Sequence, residues 1–268
     1  MSKGYLLVAM GNDYVMQACL CASSIKKTQS ISNVSIMTND IVPAEYKNLF
    51  DKIIEVPQRK SDTSFYNTEH RWKVFHVTPY QETIMLDTDT IFLSNIDYMW
   101  NSVAQQRSSV AFVTNAKTYR GSIIEDNFYR QVFVKNNLPN IYNAFHYFKQ
   151  DDVALNYYKD LELICKNNQN FYDIYLKKLK PKVTSMDVNH AIAILNSNLE
   201  NYQINSLNFV HMKPRVQQWE VSNDSWMQDI PFYFDEDYNL KVGNYQQAGI
   251  FHYVEHDFCK EVIGRYHA

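Results

Sequence analysis

The stretch Glu82-Thr-Ile-Met-Leu-Asp-Thr-Asp-Thr-Ile-Phe-Leu93 decides the fold of this chain. Its apolar run from Thr83 to Leu86 is typical of a buried strand, and it leads directly into Asp87 and Asp89. Because the two aspartates are two residues apart, an extended backbone points both carboxylates to the same side. Two carboxylates so close repel each other unless a cation lies between them. Hard divalent cations take oxygen ligands, so the pattern favours a metal site over a solvated turn.

The sequence before this stretch alternates between strand-like and helix-like patterns. Strands are predicted at residues 5–10, 34–38 and 52–56, and helices at 14–27 and 43–50. Such a β-α-β-α-β order favours a parallel, doubly wound sheet with right-handed crossovers. Ligands of these sheets bind at the carboxyl ends of the strands, and this is where Asp87 and Asp89 fall.

The rest of the chain is predicted to complete the same domain. Further strands are predicted at 110–114, 141–148, 204–212 and 249–254, and further helices at 67–77, 95–100, 151–167 and 187–196. The sequence contains no internal repeat and no low-complexity linker that would divide it. We therefore expect a single α/β domain with a mostly parallel central sheet flanked by helices.

The bulk composition narrows the class of protein. Hydrophobic residues make up 46% and charged residues 21% of the chain, as in ordinary soluble globular proteins. The net charge of −3 and the lack of a dense Lys/Arg stripe argue against a nucleic-acid partner. No apolar window is as long as a membrane span, and the first residues do not read as a secretory signal. The four cysteines form no C-x-x-C pair, so we expect a reducing compartment, the cytoplasm (of a host cell if the chain is viral).

Two stretches carry a resemblance to a known family. Val-Ala-Met-Gly-Asn-Asp-Tyr at 8–14, with the helix that follows it, and Ile-Met-Leu-Asp-Thr-Asp-Thr-Ile-Phe-Leu-Ser-Asn-Ile-Asp at 84–97 resemble the glycogenin-like glycosyltransferases of family 8. The similarity covers residues 5–100 in order and continues in patches to residue 260. It implies a single GT-A (Rossmann-like) domain, in which 1–100 is the nucleotide-sugar-binding half and 101–268 the acceptor- and sugar-binding half. It also implies a nucleotide-sugar donor, UDP-linked in most relatives, Mn²⁺ or Mg²⁺, and a glycan or other hydroxyl acceptor.

The resemblance assigns roles at the donor. Asn12, Asp13 and Tyr14 would contact the nucleotide, with the Tyr14 ring stacked on the base. This sequence has one residue fewer between Asp13 and Tyr14 than glycogenin has, and packing at a helix start is the alternative for Tyr14. Arg71 matches a basic residue that contacts the donor, and a guanidinium binds phosphate with two hydrogen bonds. Thr88, between the two aspartates, is expected to contact the donor as well.

The resemblance also implies a third metal ligand beside Asp87 and Asp89. The family uses a histidine from a late strand, and His252 matches that position after the apolar run Gly249-Ile-Phe. His211 is the competitor, in the sequence His-Met-Lys-Pro. The Gly and Lys-Pro-Trp that follow the family histidine are absent here, which leaves Lys260 as the nearest basic residue for the diphosphate.

Three residues are expected at the sugar and the reacting carbon. Asn143 matches a family residue that holds the sugar, and Asp187 matches one that contacts a sugar hydroxyl. Val188 replaces the glutamine that lies near the reacting carbon; His190 and Asn189 are the candidates to substitute for it, and a place on the helix surface is the alternative for both. The relatives retain the anomeric configuration, and retention is expected here unless Asp187 acts as a general base, which would permit inversion.

Two alternative functions are consistent with parts of the sequence. Asp87-Thr-Asp89-Thr90 also fits the first motif of the haloacid-dehalogenase-type Mg²⁺-dependent phosphatases, in which the first aspartate attacks phosphorus. That family places the motif on its first strand, whereas here a β-α-β-α-β unit precedes it. The replacements at Ala144, Phe145 and Val188 are also compatible with an inactive sugar-nucleotide- or glycan-binding protein. A metal-dependent glycosyltransferase accounts for more of the sequence than either alternative.

Overall fold

A computed structural model describes residues 2–56, 71–124, 130–213 and 225–266 of the chain. The first part contains β1 (Lys3–Ala9), α1 (Asn12–Thr28), β2 (Val34–Thr38), a 3₁₀ helix (Ala44–Leu49) and β3 (Lys52–Glu55). A 3₁₀ turn (Arg71–Lys73) then continues as α2 (Val74–Val77), followed by β4 (Glu82–Leu86), β5 (Thr90–Phe92) and α3 (Tyr98–Gln105). The prediction of a helix at 67–77 lies partly outside the described residues.

The second part is more irregular. It contains β6 (Val110–Val113), β7 (Ala116–Lys117), α4 (Gln131–Asn136), β8 (Tyr142–Lys149), α5 (Asp152–Lys166), α6 (Asn168–Tyr175), α7 (Met186–Asn196), β9 (Gln203–Ile204) and β10 (Phe209–His211). It ends with α8 (Trp226–Asp229), β11 (Phe232–Phe234), β12 (Leu240–Val242), β13 (Tyr245–Gln246), β14 (Ile250–His252) and α9 (His256–Tyr266). None of the helices within the described ranges is both long and apolar enough to span a bilayer.

A seven-stranded sheet forms the centre of the domain, in the order β3-β2-β1-β4-β8-β6-β9. The strands from β3 to β4 are parallel, whereas β8 runs antiparallel to β4 and β6. Six consecutive residues of β1 are buried, as expected for a central parallel strand. Its alternate side chains enter two cores: Tyr5 and Leu7 pack with α1 and α3, and Leu6 and Val8 pack with α5 and α7. The predicted α/β domain is confirmed.

A smaller sheet joins segments that are far apart in the sequence, in the order β5-β14-β10-β7. β14 pairs antiparallel with β5, which places His252 opposite Thr90. β10 pairs parallel with β14, which places His211 beside His252. Directly before β14, Gly249 has a φ of +78°, and a Cβ built there would lie 2.3 Å from the carbonyl oxygen of Asn208. This close approach of two backbones sets the position of β14.

The predicted strand at 204–212 is wrong as a single element. β9 ends at Ile204 and pairs with β6 in the large sheet, whereas β10 begins at Phe209 in the smaller sheet. Between them the polar segment 205–208 turns the chain, and the hydroxyl of Tyr98 donates to the carbonyl of Ser206. The predicted helix at 43–50 forms, but as a 3₁₀ helix after Pro43. The helix predicted at 95–100 begins later, at Tyr98.

Helix α5 begins with a capped turn that allows a test of the fold. One carboxylate oxygen of Asp151 accepts a hydrogen bond from the Ala154 amide at 2.9 Å, and the other accepts one from the Ser109 hydroxyl at 2.9 Å. We expect Asp151→Ala to lower the free energy of unfolding by about 1–2 kcal/mol, because the cap is lost. Urea denaturation measures this. Asp152→Ala removes a neighbouring exposed carboxylate without a cap bond, and an equal loss in both variants would contradict the capping role.

Candidate functional site

A cavity of about 440 Å³ opens where β1 and β4 end. Its lining includes Tyr14, Arg71, Asp87, Thr88, Asp89, Arg130, Tyr142, Asn143, Asp187, His211, Lys213, His252 and His256. These residues come from both sheets and from α1, α7 and α9. The structure therefore brings most of the predicted site residues together at the predicted edge of the large sheet.

Asp87, Asp89 and His252 form a compact cluster on one wall of this cavity. One possible ligand atom from each lies within 4.8 Å of the other two, and across the described ranges no other group of three metal-ligating side chains meets that condition. Backbone bonds fix the cluster. The Asp87 amide donates to the carbonyl of Ala144 at 2.9 Å, and the Tyr253 amide donates to the carbonyl of Asp89 at 3.0 Å. The turn between β4 and β5 is thus tied to both β8 and β14.

Each aspartate of the cluster faces a cationic partner. Arg71 Nη1 lies 2.5 Å from Asp87 Oδ1, and His252 Nε2 lies 3.1 Å from Asp89 Oδ2. Burial raises the pKa of Asp89, but the charge and hydrogen bond of His252, a backbone hydrogen bond and the charge of Arg71 together lower it below its usual value. Burial lowers the pKa of His252, but the charge and hydrogen bond of Asp89 and the charges of Asp87 and Asp187 together raise it above its usual value. Burial raises the pKa of Asp87 against the opposing charge of Arg71. Each carboxylate of the cluster is therefore balanced by a neighbouring basic group, Asp87 by Arg71 and Asp89 by His252.

His211 lies behind His252 rather than beside the aspartates. Its Nδ1 is 3.0 Å from Nδ1 of His252, so one ring must donate the proton and the other must accept it. Burial lowers the pKa of His211 well below its usual value, and the charges of His252 and Lys213 add to this shift. A neutral His211 accepts a hydrogen bond from the Nδ1–H of His252 and leaves Nε2 of His252 to face Asp89. Of the two competing histidines, His252 is the one within reach of the aspartates.

Asp187 and Asn143 lie on another wall of the cavity, held by a residue that the sequence did not indicate. Oδ1 of Asp187 accepts the backbone amide of Asn143 at 2.9 Å, and Oδ2 pairs with Arg130 Nη1 at 2.7 Å. Arg130 comes from a stretch of mixed pattern with no preceding apolar run. Among the described residues, neither polar atom of the Asn143 side chain has a hydrogen-bond partner, although the residue is only 2% exposed.

The predicted nucleotide contacts are divided between two cavities. Tyr14 lines the large cavity, with its ring edge-on to His256 at a centroid distance of 5.1 Å. Asp13 and Lys260 instead line a neighbouring cavity of about 260 Å³, which His256 also borders. His256 was not indicated by the sequence, and it connects the two cavities. Asn12 is exposed at the start of α1 and lines neither cavity.

Thr88 is buried at the large cavity, whereas Lys260 is exposed and does not line it. Thr88 lines the large cavity but is 3% exposed, and its hydroxyl donates to Gln17 Oε1 at 3.1 Å. The Lys260 side chain is exposed, with Nζ 3.3 Å from Asp257 Oδ1. Lys260 is not among the residues that line the large cavity. The described structure therefore brings Arg71, and not Lys260, to the aspartate pair.

His190 is not among the residues that line the cavity. It is 1% exposed, and its Nδ1 lies 2.7 Å from the hydroxyl of Tyr157 in the core. Burial lowers the pKa of His190 well below its usual value, so the ring is neutral. Asn189 is likewise buried, where it accepts a hydrogen bond from the hydroxyl of Tyr172 at 3.0 Å. Neither residue is among those that line the cavity.

Comparison with known proteins shows a shared fold with a solved structure but no related sequence. No protein-family model matches the sequence, and no curated protein sequence matches it. Among solved structures, the apo form of mouse xyloside xylosyltransferase 1 aligns with a TM-score of 0.50 and 11% identity over 76% of this chain and 85% of that chain. The glycosyltransferase GlyE of Streptococcus pneumoniae TIGR4 aligns with a TM-score of 0.43 and 11% identity over 75% and 44%. The bifunctional glycosyltransferase WbbM aligns with a TM-score of 0.44 and 15% identity over 79% and 39%.

The chain thus spans less than half of the GlyE and WbbM chains. At these identities the mouse structure shows a shared fold, and it agrees with the fold class expected from the sequence.

Proposed function

We propose that this protein is a metal-dependent glycosyltransferase that moves a sugar from a nucleotide sugar, UDP-linked, to a hydroxyl of a glycan or other acceptor. The observation that carries the proposal is the cluster of Asp87, Asp89 and His252 at the end of β4, within the large cavity and next to Arg71. The shared fold with mouse xyloside xylosyltransferase 1 supports it. The match of 84–97 to the glycogenin-like family supports the finer assignment to family 8.

The donor set of the cluster fits a divalent cation. Two carboxylates and one imidazole, with their ligand atoms within 4.8 Å of one another, suit Mn²⁺, and Mg²⁺ less well. His211 would hold the His252 ring in the required tautomer through their Nδ1 contact at 3.0 Å. When bound, the cation would neutralise the charge that develops on the departing diphosphate.

Arg71 would act on the same diphosphate. In the free protein its guanidinium pairs with Asp87, and this ion pair is only partly exposed. If Asp87 turns to a cation, the guanidinium becomes available to a phosphate, which it can bind with two hydrogen bonds. On the base side, Tyr14 offers its ring for stacking at the border between the two cavities.

The surroundings of Asp187 support retention of configuration. Among the residues that the structure describes, the carboxylates that line the large cavity are Asp87, Asp89 and Asp187. The first two belong to the metal cluster, and both oxygens of the third are already engaged by Arg130 and by the Asn143 amide. A carboxylate held in this way is a poor general base, so inversion through Asp187 is disfavoured.

The proposed division of the domain follows from these roles. Residues 1–100 would bind most of the nucleotide and its diphosphate, and residues 101–268 would bind the sugar and the acceptor. The third metal ligand, His252, comes from the second half. The phosphatase alternative is not favoured, since the aspartate pair follows the fourth strand and its third partner is a histidine rather than an acidic residue.

Removal of the metal is the direct test. We expect the protein, incubated with a panel of UDP, GDP and ADP sugars in the presence of Mn²⁺, to release the nucleoside diphosphate from one of them. Excess EDTA should abolish this release, and added Mn²⁺ should restore it, because the charge on the leaving group is no longer neutralised without the cation. Release of phosphate from sugar phosphates without any nucleotide would instead support a phosphatase. Binding of a nucleotide sugar without turnover, even with acceptors present, would support a binding protein.

A further inference from the structure

We propose that Arg130 is a positioning residue of the sugar subsite, acting through Asp187 on the side chain of Asn143. The inference rests on the proposed function and adds a residue that neither the sequence nor the family resemblance assigned. Arg130 is only 7% exposed although it lines the large cavity. A buried guanidinium at a cavity wall is costly unless all its hydrogen-bond donors are directed to partners.

The guanidinium of Arg130 is fixed in one orientation by its surroundings. Its Nε donates to Asn140 Oδ1 at 2.9 Å, Nη1 to Asp187 Oδ2 at 2.7 Å, and Nη2 to the carbonyl of Ile141. The plane lies between two aromatic rings, 4.0 Å from the centroid of Phe133 and 4.3 Å from that of Tyr142. A planar fork with donors in three directions can satisfy this arrangement, whereas a single ammonium cannot.

Asp187 links the guanidinium of Arg130 to the backbone of β8 through its two carboxylate oxygens. Its Oδ2 is held by Arg130, so its Oδ1 is directed at the backbone amide of Asn143 at 2.9 Å. Asp187 lies in the first turn of α7, and Asn143 is the second residue of β8. The carboxylate therefore joins the start of α7 to the start of β8, where Asn143 lines the same cavity as Asp87 and Asp89. Without Arg130, Oδ2 of Asp187 would lose the charged partner that holds it at 2.7 Å.

The bond from Asp187 fixes the backbone of Asn143, and the side chain of Asn143 is the group available to a ligand. Its amide oxygen and nitrogen are buried and, in the part of the chain that the structure describes, have no hydrogen-bond partner. An unpaired buried amide is unfavourable, and a ligand that both donates and accepts would relieve it. A sugar hydroxyl, or two neighbouring hydroxyls, has this chemistry. The geometry thus indicates that Asn143 recognises hydroxyls of the transferred sugar and that Arg130 holds the amide where it can do so.

Binding measurements separate this role from a general contribution to folding. We expect Arg130→Met to weaken the binding of the donor sugar nucleotide about tenfold, since one good hydrogen-bonding group is displaced. Binding of UDP should change less than about twofold, because its contacts lie elsewhere. Calorimetry with UDP and with UDP-glucose, UDP-galactose and UDP-N-acetylglucosamine, all with Mn²⁺, measures both. Arg130→Lys retains the charge and should fall between wild type and Arg130→Met.

Arg120→Met provides a matched control. Arg120 also stacks on aromatic rings, 5.6 Å from that of Tyr119 and 5.5 Å from that of Tyr245, but it does not line the large cavity. This variant should bind the sugar nucleotide as the wild type does. Equal weakening of UDP and of the sugar nucleotide by Arg130→Met and Arg130→Lys would overturn the inference, because it would indicate a structural role alone.

A double-mutant cycle tests the route through Asp187. In the background of Asp187→Asn, the further change Arg130→Met should alter sugar-nucleotide affinity less than about twofold, since the group on which Arg130 acts has lost its charge. Effects that simply multiply would overturn the proposed route. If the wild type binds none of the nucleotides, the proposed function fails as well. If the wild type prefers a sugar nucleotide to UDP and both Arg130 variants keep that preference, only this inference fails.

Discussion

Replacing Asp89 by asparagine is expected to lower the release of nucleoside diphosphate by about 10²–10³-fold, the usual effect of losing one group that stabilises charge in the transition state. The substitution keeps the size of the side chain and an oxygen that can accept from His252, whose Nε2 lies 3.1 Å from Asp89 Oδ2. It removes one of the two anionic ligands offered to a divalent cation. The rate is measured in steady state at saturating Mn²⁺.

The same variant should bind Mn²⁺ more weakly, which electron paramagnetic resonance of the free ion measures without reference to activity. Asp173→Asn is the matched control. Asp173 is an exposed aspartate of α6 that pairs with Lys180, and it does not line the cavity. It should leave both the rate and the Mn²⁺ affinity unchanged. Full activity and unchanged Mn²⁺ affinity in Asp89→Asn would show that Asp89 does not bind the metal.

Replacing Gly249 by alanine is expected to lower the free energy of unfolding by about 2–5 kcal/mol. A φ of +78° costs an L-residue about 1–2 kcal/mol. A Cβ at 2.3 Å from the carbonyl oxygen of Asn208 adds a clash with backbone, for which overpacking costs of about 1–3 kcal/mol are typical. That carbonyl also accepts the amide of Ile250 at 2.9 Å, so relief of the clash must separate β14 from its neighbour.

Gly121→Ala isolates the first contribution, the conformational cost of a positive φ. Gly121 has a φ of +87°, but a Cβ built there meets nothing within 4 Å. It should therefore show only the conformational cost of about 1–2 kcal/mol. Guanidinium denaturation compares the two variants, and Mn²⁺ affinity should fall in Gly249→Ala alone, because His252 lies at the end of β14. Equal destabilisation by both substitutions would mean that the backbone contact at Asn208 relaxes freely.

The large sheet was predictable from the sequence because its central strands are buried on both faces. β1, β2 and β4 read as continuous apolar runs, and the structure confirms them within one or two residues. The position of Asp87 and Asp89 at a strand end followed from the same pattern. The smaller sheet was harder to foresee, since its strands are two or three residues long and pair across most of the chain.

Two site residues illustrate why the remaining details could not be read from the sequence. The family resemblance offered His190 as a candidate near the reacting carbon, but α7 is buried almost all round, so its polar residues are buried as well. The apolar residues on every face of this helix were the available signal. No sequence pattern marked Arg130 as a site residue. Its partners are Asp187 of α7 and Ile141 and Tyr142 at the start of β8. Only their spatial arrangement shows what it holds.

The pairing of β5 with β14 has a consequence for the order in which the protein matures during synthesis. The strands from β1 to β4 can associate as soon as the first third of the chain has left the ribosome, because their contacts are local or span one crossover. The Asp89–His252 contact has to wait until β14 has been made, since it depends on the most distant pairing in the smaller sheet. A nascent chain can thus carry a folded first half while it still lacks His252, the third member of the cluster with Asp87 and Asp89. The cluster is complete only after β14 has formed.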